Sequence, residues 1–178
     1  IITYLLAPTQ DVFKITITPR GHTGGVTWTP EREEIFIHDK TYLLNQIKIC
    51  LGSYAAEQMK IKITTAGVDG DFTSALLIAR NMVWRWGMGR SGLLGNFDAL
   101  NDYAASGNRS LPVSSEVQKR LDEDVQDILQ SCLKDVQDVL SREDPLLDRL
   151  AKELVAKEEL NYDEIEAIFK EFGKSRAQ

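Results

Sequence analysis

The chain has 178 residues, of which 43% are hydrophobic and 27% charged. This composition is typical of a folded chain with a buried core and excludes a disordered one. The 21 basic and 27 acidic side chains give a net charge of −6 without any Lys and Arg cluster, so we expect no nucleic-acid partner.

The first predicted elements are a short helix and two strands. The apolar stretch Ile1–Leu6 is predicted to be the end of a helix, because Pro8 and polar residues stop the pattern. It begins without Met or a charged leader, so we expect a fragment of a longer protein. Alternating, β-branched sequences predict strands over Val12–Thr18 and Gly24–Pro30, which together form a small sheet.

Two helices follow, joined by a loop. From Thr41 the period is helical, and small side chains in the middle of the helix indicate close packing on a neighbour. Lys60–Thr64 is predicted to be extended. The turn-rich loop Thr64–Asp71 then opens directly onto a second helix, which ends at Gly87. The apolar face of the first helix carries Leu44, Ile47, Leu51, Ala55 and Met59.

The C-terminal part is predicted to be helical. A long amphipathic helix begins at Ser114 or Ser115, a second begins at Asp144-Pro145, and a third begins at Asn161. Three helices with short links form an antiparallel bundle. The expected class is therefore α+β and mainly helical, with a small sheet packed on helices and followed by this bundle. We expect one domain over residues 1–178, with the small sheet in a core at 1–110 and the bundle at 111–178.

The sequence lacks most of the motifs that mark catalytic, nucleotide-binding or metal-binding sites. His22 and His38 have no partner at the i+4 spacing of zinc proteases, and no HExxH motif is present. Gly87–Gly92 matches GxGxxG, but a predicted helix precedes it, so the glycines are expected to end that helix. Cys50 and Cys132 lack CxxC spacing and are expected to be buried thiols in a reducing compartment.

Asp69 and Asp71 lie in a threonine- and glycine-rich loop directly before a helix. One interpretation is a helix N-cap, which the residue types alone favour. The other is a carboxylate that a tight loop holds ready for a metal ion. The sequence leaves both interpretations open.

The order of several segments resembles the peptidase domain of FtsH-type proteases, which are membrane-anchored, ATP-dependent zinc metalloproteases of the AAA+ class. The resemblance covers nearly the whole chain and implies a single peptidase-like domain over residues 1–178, with the metal-site core at 1–110. It rests on motifs in the same order. These are Phe13–Gly21, Leu51–Glu57, Thr64-Thr65 with Asp71, Ala79–Val83 and Trp86–Met88.

The resemblance implies a zinc site and a substrate-binding strand. In the family an HExxH helix supplies two histidines and a glutamate base, which are expected upstream of Ile1, and a loop aspartate completes the site. The matching residue is Asp71, and Glu57 is expected to support a zinc-bound histidine, although a solvated helix glutamate is the alternative. Val26, Thr27 and Trp28 match the edge strand that binds substrate, although Trp28 could equally lie in the core.

The resemblance also implies a setting for the chain. It predicts zinc as cofactor, ATP used by an upstream domain, protein substrates and a homo- or hetero-hexamer. Membrane contact would be made only through an N-terminal segment outside this chain, with the domain facing the cytoplasm, plastid stroma or mitochondrial matrix. Without the HExxH motif, this polypeptide alone is expected to be inactive.

The sequence departs from the family around the expected metal site. Gly52-Ser53-Tyr54 replaces the usual glycine-glycine-arginine, and the loop before Asp71 carries one extra residue. An alternative hypothesis is therefore an inactive homologue that acts as a ring scaffold or unfoldase partner. A third, a plain helical interaction domain, does not explain the order of the motifs.

Overall fold

A computed structural model describes residues 1–19, 24–32, 37–100 and 113–176. Its elements confirm the predicted class, α+β and mainly helical. A 3₁₀ turn lies at Ala66–Val68. The helices are α1 (Ile2–Leu6), α2 (Lys40–Lys60), α3 (Asp69–Trp84), α4 (Ser115–Arg142), α5 (Asp144–Lys157) and α6 (Tyr162–Glu171), and the strands are β1 (Lys14–Thr16), β2 (Val26–Trp28) and β3 (Glu159–Asn161).

The chain divides into two compact units. Unit 1 consists of residues 1–37 and 137–178, and unit 2 consists of residues 38–136. The chain thus leaves unit 1 and returns to it, and the second crossing falls within α4. The expected division at residue 110 and the single peptidase-like domain both stay predictions.

Unit 1 contains an antiparallel sheet in the order β2-β1-β3. Ile15 at the centre of β1 faces Thr27 on one side and Leu160 on the other. The first two strands were predicted from their alternating sequences, but β3 was not, and it lies in the part that was expected to be purely helical. Leu160 is fully buried, so this short strand contributes to the core as well as to the sheet.

The core of unit 1 joins the two ends of the chain. The ring of Tyr4 on α1 stacks on that of Phe169 on α6, with centroids 3.6 Å apart. The side chain of Asn161 caps α6 and forms a reciprocal capping box with Glu164, as its position in the sequence predicts. The buried cluster consists of Tyr4, Val12, Leu146, Leu150, Leu160, Ile165, Ile168 and Phe169.

In unit 2, α2 packs on α3, as the small residues of α2 predict. Ala55 on α2 and both Ala75 and Ala79 on α3 are buried, and alanines let two helix backbones approach closely. The buried face of α2 carries Leu43, Ile47, Leu51 and Ala55. Leu44 and Met59, which were expected on this face, are only partly buried.

The prediction of an extended segment at Lys60–Thr64 is wrong. Residue 60 is still helical, Ile61 caps α2, and Lys62 has a φ of 59°. A left-handed residue reverses the chain direction and is incompatible with a strand. The segment is a turn that leads from α2 back to α3.

Candidate functional site

Asp71 lies in the first turn of α3 and is partly exposed. The N-cap of α3 is Val68, and no side chain bonds to the first amides of the helix as a cap. The N-cap interpretation of Asp69 and Asp71 is therefore wrong. The physical reason is the 3₁₀ turn, which runs straight into α3 and places the side-chain cap earlier, where the Thr65 hydroxyl accepts from the Gly67 amide at 3.2 Å.

The carboxylate of Asp71 is instead bound from α2. Ser53 donates its hydroxyl to Oδ2 of Asp71 at 2.7 Å. One residue further along each helix, the rings of Tyr54 and Phe72 lie 5.1 Å apart in a tilted arrangement. Two consecutive residues of α2 therefore contact two consecutive residues at the start of α3.

Glu57, one turn further along α2, binds the loop that leads into α3. Its Oε1 accepts from the Thr65 hydroxyl at 2.7 Å, and its Oε2 accepts from the Thr65 amide at 3.0 Å. These two bonds, the hydroxyl bond first, lower the pKa of Glu57 below its ordinary value. Glu57 is therefore an ionised anchor for the loop.

Cys50, one turn before Ser53 and Tyr54 on α2, is a free thiol. Burial and the nearby charge of Asp71 raise its pKa, so the thiol is protonated at neutral pH and is a poor metal ligand. Cys132 is also free and buried, and burial raises its pKa to about 11. The predicted burial is thus complete for Cys132 and partial for Cys50.

Asp71 has the chemistry of one zinc ligand. Carboxylate oxygens bind zinc together with histidine nitrogens in many proteins. A zinc site in a protein needs three or four protein ligands. Within residues 1–19, 24–32, 37–100 and 113–176, no group of three His, Cys, Asp or Glu side chains could hold a metal ion. The described residues therefore fit a contribution to a zinc site, but they do not complete one.

β2, the predicted substrate-binding strand, lies at an edge of the sheet in unit 1. Val26, Thr27 and Trp28 are all exposed, and Trp28 retains 58% of its surface, so it does not lie in the core. Its ring meets that of Phe13 edge-on, with centroids 5.4 Å apart. An apolar surface therefore flanks the edge of the sheet.

The register between the first two strands changes next to Trp28. Lys14 pairs with Trp28 in the sheet, but the amide of Phe13 also donates to the Trp28 carbonyl at 2.9 Å. Phe13 and Lys14 therefore both lie opposite Trp28 on β2, as in a β-bulge. Because peptide groups alternate between the two edges of a strand, those of Thr27 point to the free edge.

The glycine motif follows a helix, as expected. Gly87 has a φ of 63°, which favours glycine just beyond the end of α3. Further on, Ser91 donates its hydroxyl and its amide to the carboxylate of Asp124, a buried residue of α4. Hydrogen bonds from Ser91 thus hold the segment Gly87–Gly92 against α4, a contact that was not predicted from the sequence.

His38 joins no site among the described residues. His38 is exposed, and its ring stacks on that of Tyr42 with centroids 4.1 Å apart. His22 lies outside the described residues.

Ser53 was not predicted as a site residue, because its size indicated close helix packing and its place in the Gly52-Ser53-Tyr54 motif was interpreted as a departure from the family. A serine at the point where the family has glycine was the available signal. Its partner lies 18 positions away, so helical periodicity gives no indication of the bond.

Among the described residues, no helix has both the length and the apolar composition needed to cross a membrane.

Comparison with known proteins gives a consistent result. The model of peptidase family M41 matches residues 1–168. An "ATP-dependent zinc metalloprotease FtsH" of Borreliella burgdorferi (strain ZS7) is 36% identical over 170 residues, which are 93% of this chain and 26% of that protein. A protein of the same name in Pelodictyon phaeoclathratiforme is 34% identical over 88% of this chain and 24% of that protein. Another, in Thermus thermophilus, is 30% identical over 93% of this chain and 26% of that protein. The chain spans about a quarter of the length of these relatives.

Proposed function

The chain belongs to peptidase family M41, and from this premise we propose that it is most of the proteolytic domain of an ATP-dependent zinc endopeptidase. The resemblance noted in the sequence analysis is thus confirmed at the level of the family. The observation that carries the proposal is the match over residues 1–168 together with the position of Asp71. The Asp71 side chain lies at the start of α3, where Ser53 of α2 bonds to it.

In this proposal Asp71 is one ligand of a zinc ion, and the histidine ligands and the glutamate base lie in a part of the whole protein outside this chain. When bound, zinc would supply a Lewis acid for peptide hydrolysis. The roles of this chain's residues are to present the Asp71 carboxylate, through Ser53, and to fix the loop before it, through Glu57. The direct contact of Glu57 with Thr65 supports a role in placing the loop.

β2 is proposed to bind the substrate by strand addition. Its outward backbone groups at Thr27 would pair with an unfolded polypeptide, and the exposed rings of Phe13 and Trp28 would contact its side chains. Backbone pairing is indifferent to sequence, which suits an enzyme that degrades many unfolded or membrane proteins.

The setting of the domain is proposed from the names of the relatives and from the family resemblance. ATP would act through a domain outside this chain, the whole protein would form a homo- or hetero-hexamer, and a segment outside this chain would attach it to a membrane. The domain would face the cytoplasm, plastid stroma or mitochondrial matrix. Residues 1–178 alone, which carry only one of the ligands, would retain no stoichiometric zinc and cleave no casein.

Asp71→Asn in the full-length protein tests the proposal. An amide is a poor zinc ligand, so zinc content should fall from one ion per chain to a small fraction of that, and ATP-dependent casein cleavage should be lost with it. Asp69→Asn is the matched control, because Asp69 lies in the same first turn and its loss has the same effect on helix charge. Zinc is measured by elemental analysis after gel filtration.

Three outcomes separate the hypotheses. Loss of zinc and cleavage in Asp71→Asn alone supports the protease. Full zinc and full cleavage in Asp71→Asn would remove Asp71 from the site. A wild-type protein that hydrolyses ATP and assembles but holds no zinc would favour the alternative, an inactive scaffold or unfoldase partner, for which the altered Gly52-Ser53-Tyr54 motif is the supporting observation.

A peptide substrate with N-methylated amides on every second residue tests the role of β2. Methylation removes the donors that strand addition needs, so KM should rise while kcat for the molecules that do bind changes less. The same peptide methylated on the intervening residues is the control. Equal KM values for both peptides and for the unmodified peptide would exclude strand addition at β2.

A further inference from the structure

One face of α2 makes three contacts with the segment that carries Asp71. Ser53 bonds to the Asp71 carboxylate, Tyr54 packs against Phe72, and Glu57 holds Thr65. The contacts therefore fix the carboxylate, the first turn of α3 and the beginning of the loop separately. Only the first of them touches the proposed ligand itself.

We propose that Ser53 is a positioning residue for Asp71. Its hydroxyl holds Oδ2 and fixes the plane of the carboxylate, so that Oδ1 remains available for the metal ion. The inference rests on the proposed function, and it assigns the serine that replaces a glycine of the family motif to the supporting shell of the metal site.

The geometry supports a role in orientation rather than in folding. Ser53 is exposed and Asp71 only partly buried, so water could solvate both groups if the bond were absent. The terminal torsion of an aspartate is broad, and a single charge-assisted bond of 2.7 Å is enough to restrict it. Bonds of this kind to metal ligands tune affinity by about 10- to 100-fold in well-studied sites.

The Tyr54–Phe72 and Glu57–Thr65 contacts keep the backbone of Ser53 at a fixed distance from that of Asp71. Tyr54 and Phe72 are neighbours of Ser53 and Asp71 on their own helices, and their rings keep the start of α3 beside α2. Glu57 holds the loop on the other side of the turn. With the backbone fixed at both points, the remaining freedom lies in the Asp71 side chain, which the serine restrains.

The test uses the full-length protein in four forms: wild type, Ser53→Ala, Ser53→Thr and Ser74→Ala. The zinc Kd is measured by competition with a chromophoric chelator, without ATP or substrate. Ser74 is the matched control, because it is an exposed serine of α3 that donates to the carbonyl of Gly70 at 2.9 Å and does not bond to Asp71. Thermal unfolding of the metal-free proteins reports any effect on folding.

Ser53→Ala should weaken zinc binding by about 10-fold or more, Ser53→Thr should restore the wild-type Kd because it keeps a hydroxyl, and Ser74→Ala should have no effect. The unfolding temperatures of the metal-free forms should agree. An unchanged Kd in Ser53→Ala, or equal weakening in Ser74→Ala, would overturn the role of Ser53 and leave the proposed function standing. A wild-type protein without zinc would overturn both.

Discussion

The carboxylate of Glu57 accepts both hydrogen bonds that Thr65 can donate, one from the hydroxyl and one from the amide. Thr65 in turn caps the 3₁₀ turn that becomes α3. A single glutamate of α2 therefore holds the residue that caps the turn into the next helix. The proposed ligand Asp71 lies six residues beyond Thr65.

Removing the anchor should loosen the loop between α2 and α3. In Glu57→Ala, the Thr65 amide loses its acceptor, so its hydrogen exchange should become markedly faster while exchange within α2 is unchanged. Hydrogen exchange resolved to single amides by NMR is the measurement. Gln58→Ala is the control, because Gln58 donates to the hydroxyl of Thr64 and leaves the Thr65 amide in place. Similar exchange at Thr65 in both variants would contradict the anchoring role.

The same bonds predict a pH dependence of stability. The pKa of Glu57 is lower in the folded chain than in the unfolded chain, so the folded state favours the ionised form. The contribution is complete above the unfolded pKa, about 4.3 for glutamate, and is lost as the pH falls through the lowered folded value. The difference in unfolding free energy between wild type and Glu57→Gln should be constant from about pH 7 to 5 and shrink below about pH 4. Denaturant titrations at each pH measure it, and a difference that stays constant to pH 3 would refute the link.

Gly89 is predicted to be intolerant of a side chain. A Cβ at this position would overlap the Asp124 carboxylate, which Ser91 holds in place on the buried side of α4. Gly89→Ala should therefore destabilise the chain by about 1–3 kcal/mol. Gly70→Ala is the comparison, because a Cβ there meets nothing within 4 Å and alanine favours the helix, so stability should stay equal or rise. Chemical denaturation gives both values, and equal stability of the two variants would exclude the close approach.

Leu160 tests the contribution of β3 to unit 1. The side chain is fully buried, so Leu160→Ala should lower the free energy of unfolding by about 2–5 kcal/mol. Val155→Ala removes a side chain that is 75% exposed and should change stability by less than about 0.5 kcal/mol. Thermal and denaturant unfolding followed by circular dichroism measures both. A small effect at Leu160 would show that the strand is dispensable.

The long elements of the fold were predictable because each repeats its pattern over several turns. α2, α3 and α4 follow the apolar spacing of the sequence, and Asn161 and Glu164 mark the start of α6. β3 was missed because three residues between two helices are too few to show alternation. The extended structure predicted for Lys60–Thr64 was wrong because β-branched residues favour a strand only where a partner strand is present. Lys62 adopts a left-handed conformation and turns the chain there instead.

The candidate site was predictable in part. The family motifs pointed to Asp71 and Glu57, and the motif order pointed to β2 as an edge strand, which the sheet order confirms. Their partners could not be predicted, because Ser53 and Thr65 meet them through the packing of α2 against α3 and the loop between these helices. The error about the N-cap has a similar cause, since a 3₁₀ turn before a helix leaves no sequence pattern that distinguishes it from a loop.

β1 pairs with residues 26–28 on one side and with residues 159–161 on the other, so its sheet is complete only when segments almost 150 positions apart have met. During synthesis on the ribosome, residues 38–136 emerge as one continuous stretch and can collapse first. Residues 1–37 must wait, with apolar side chains such as Tyr4 and Val12 uncovered, until residues 137–178 have been translated. Closing so long a loop is slow, and this interval is when the nascent polypeptide is most exposed to aggregation and most dependent on chaperones.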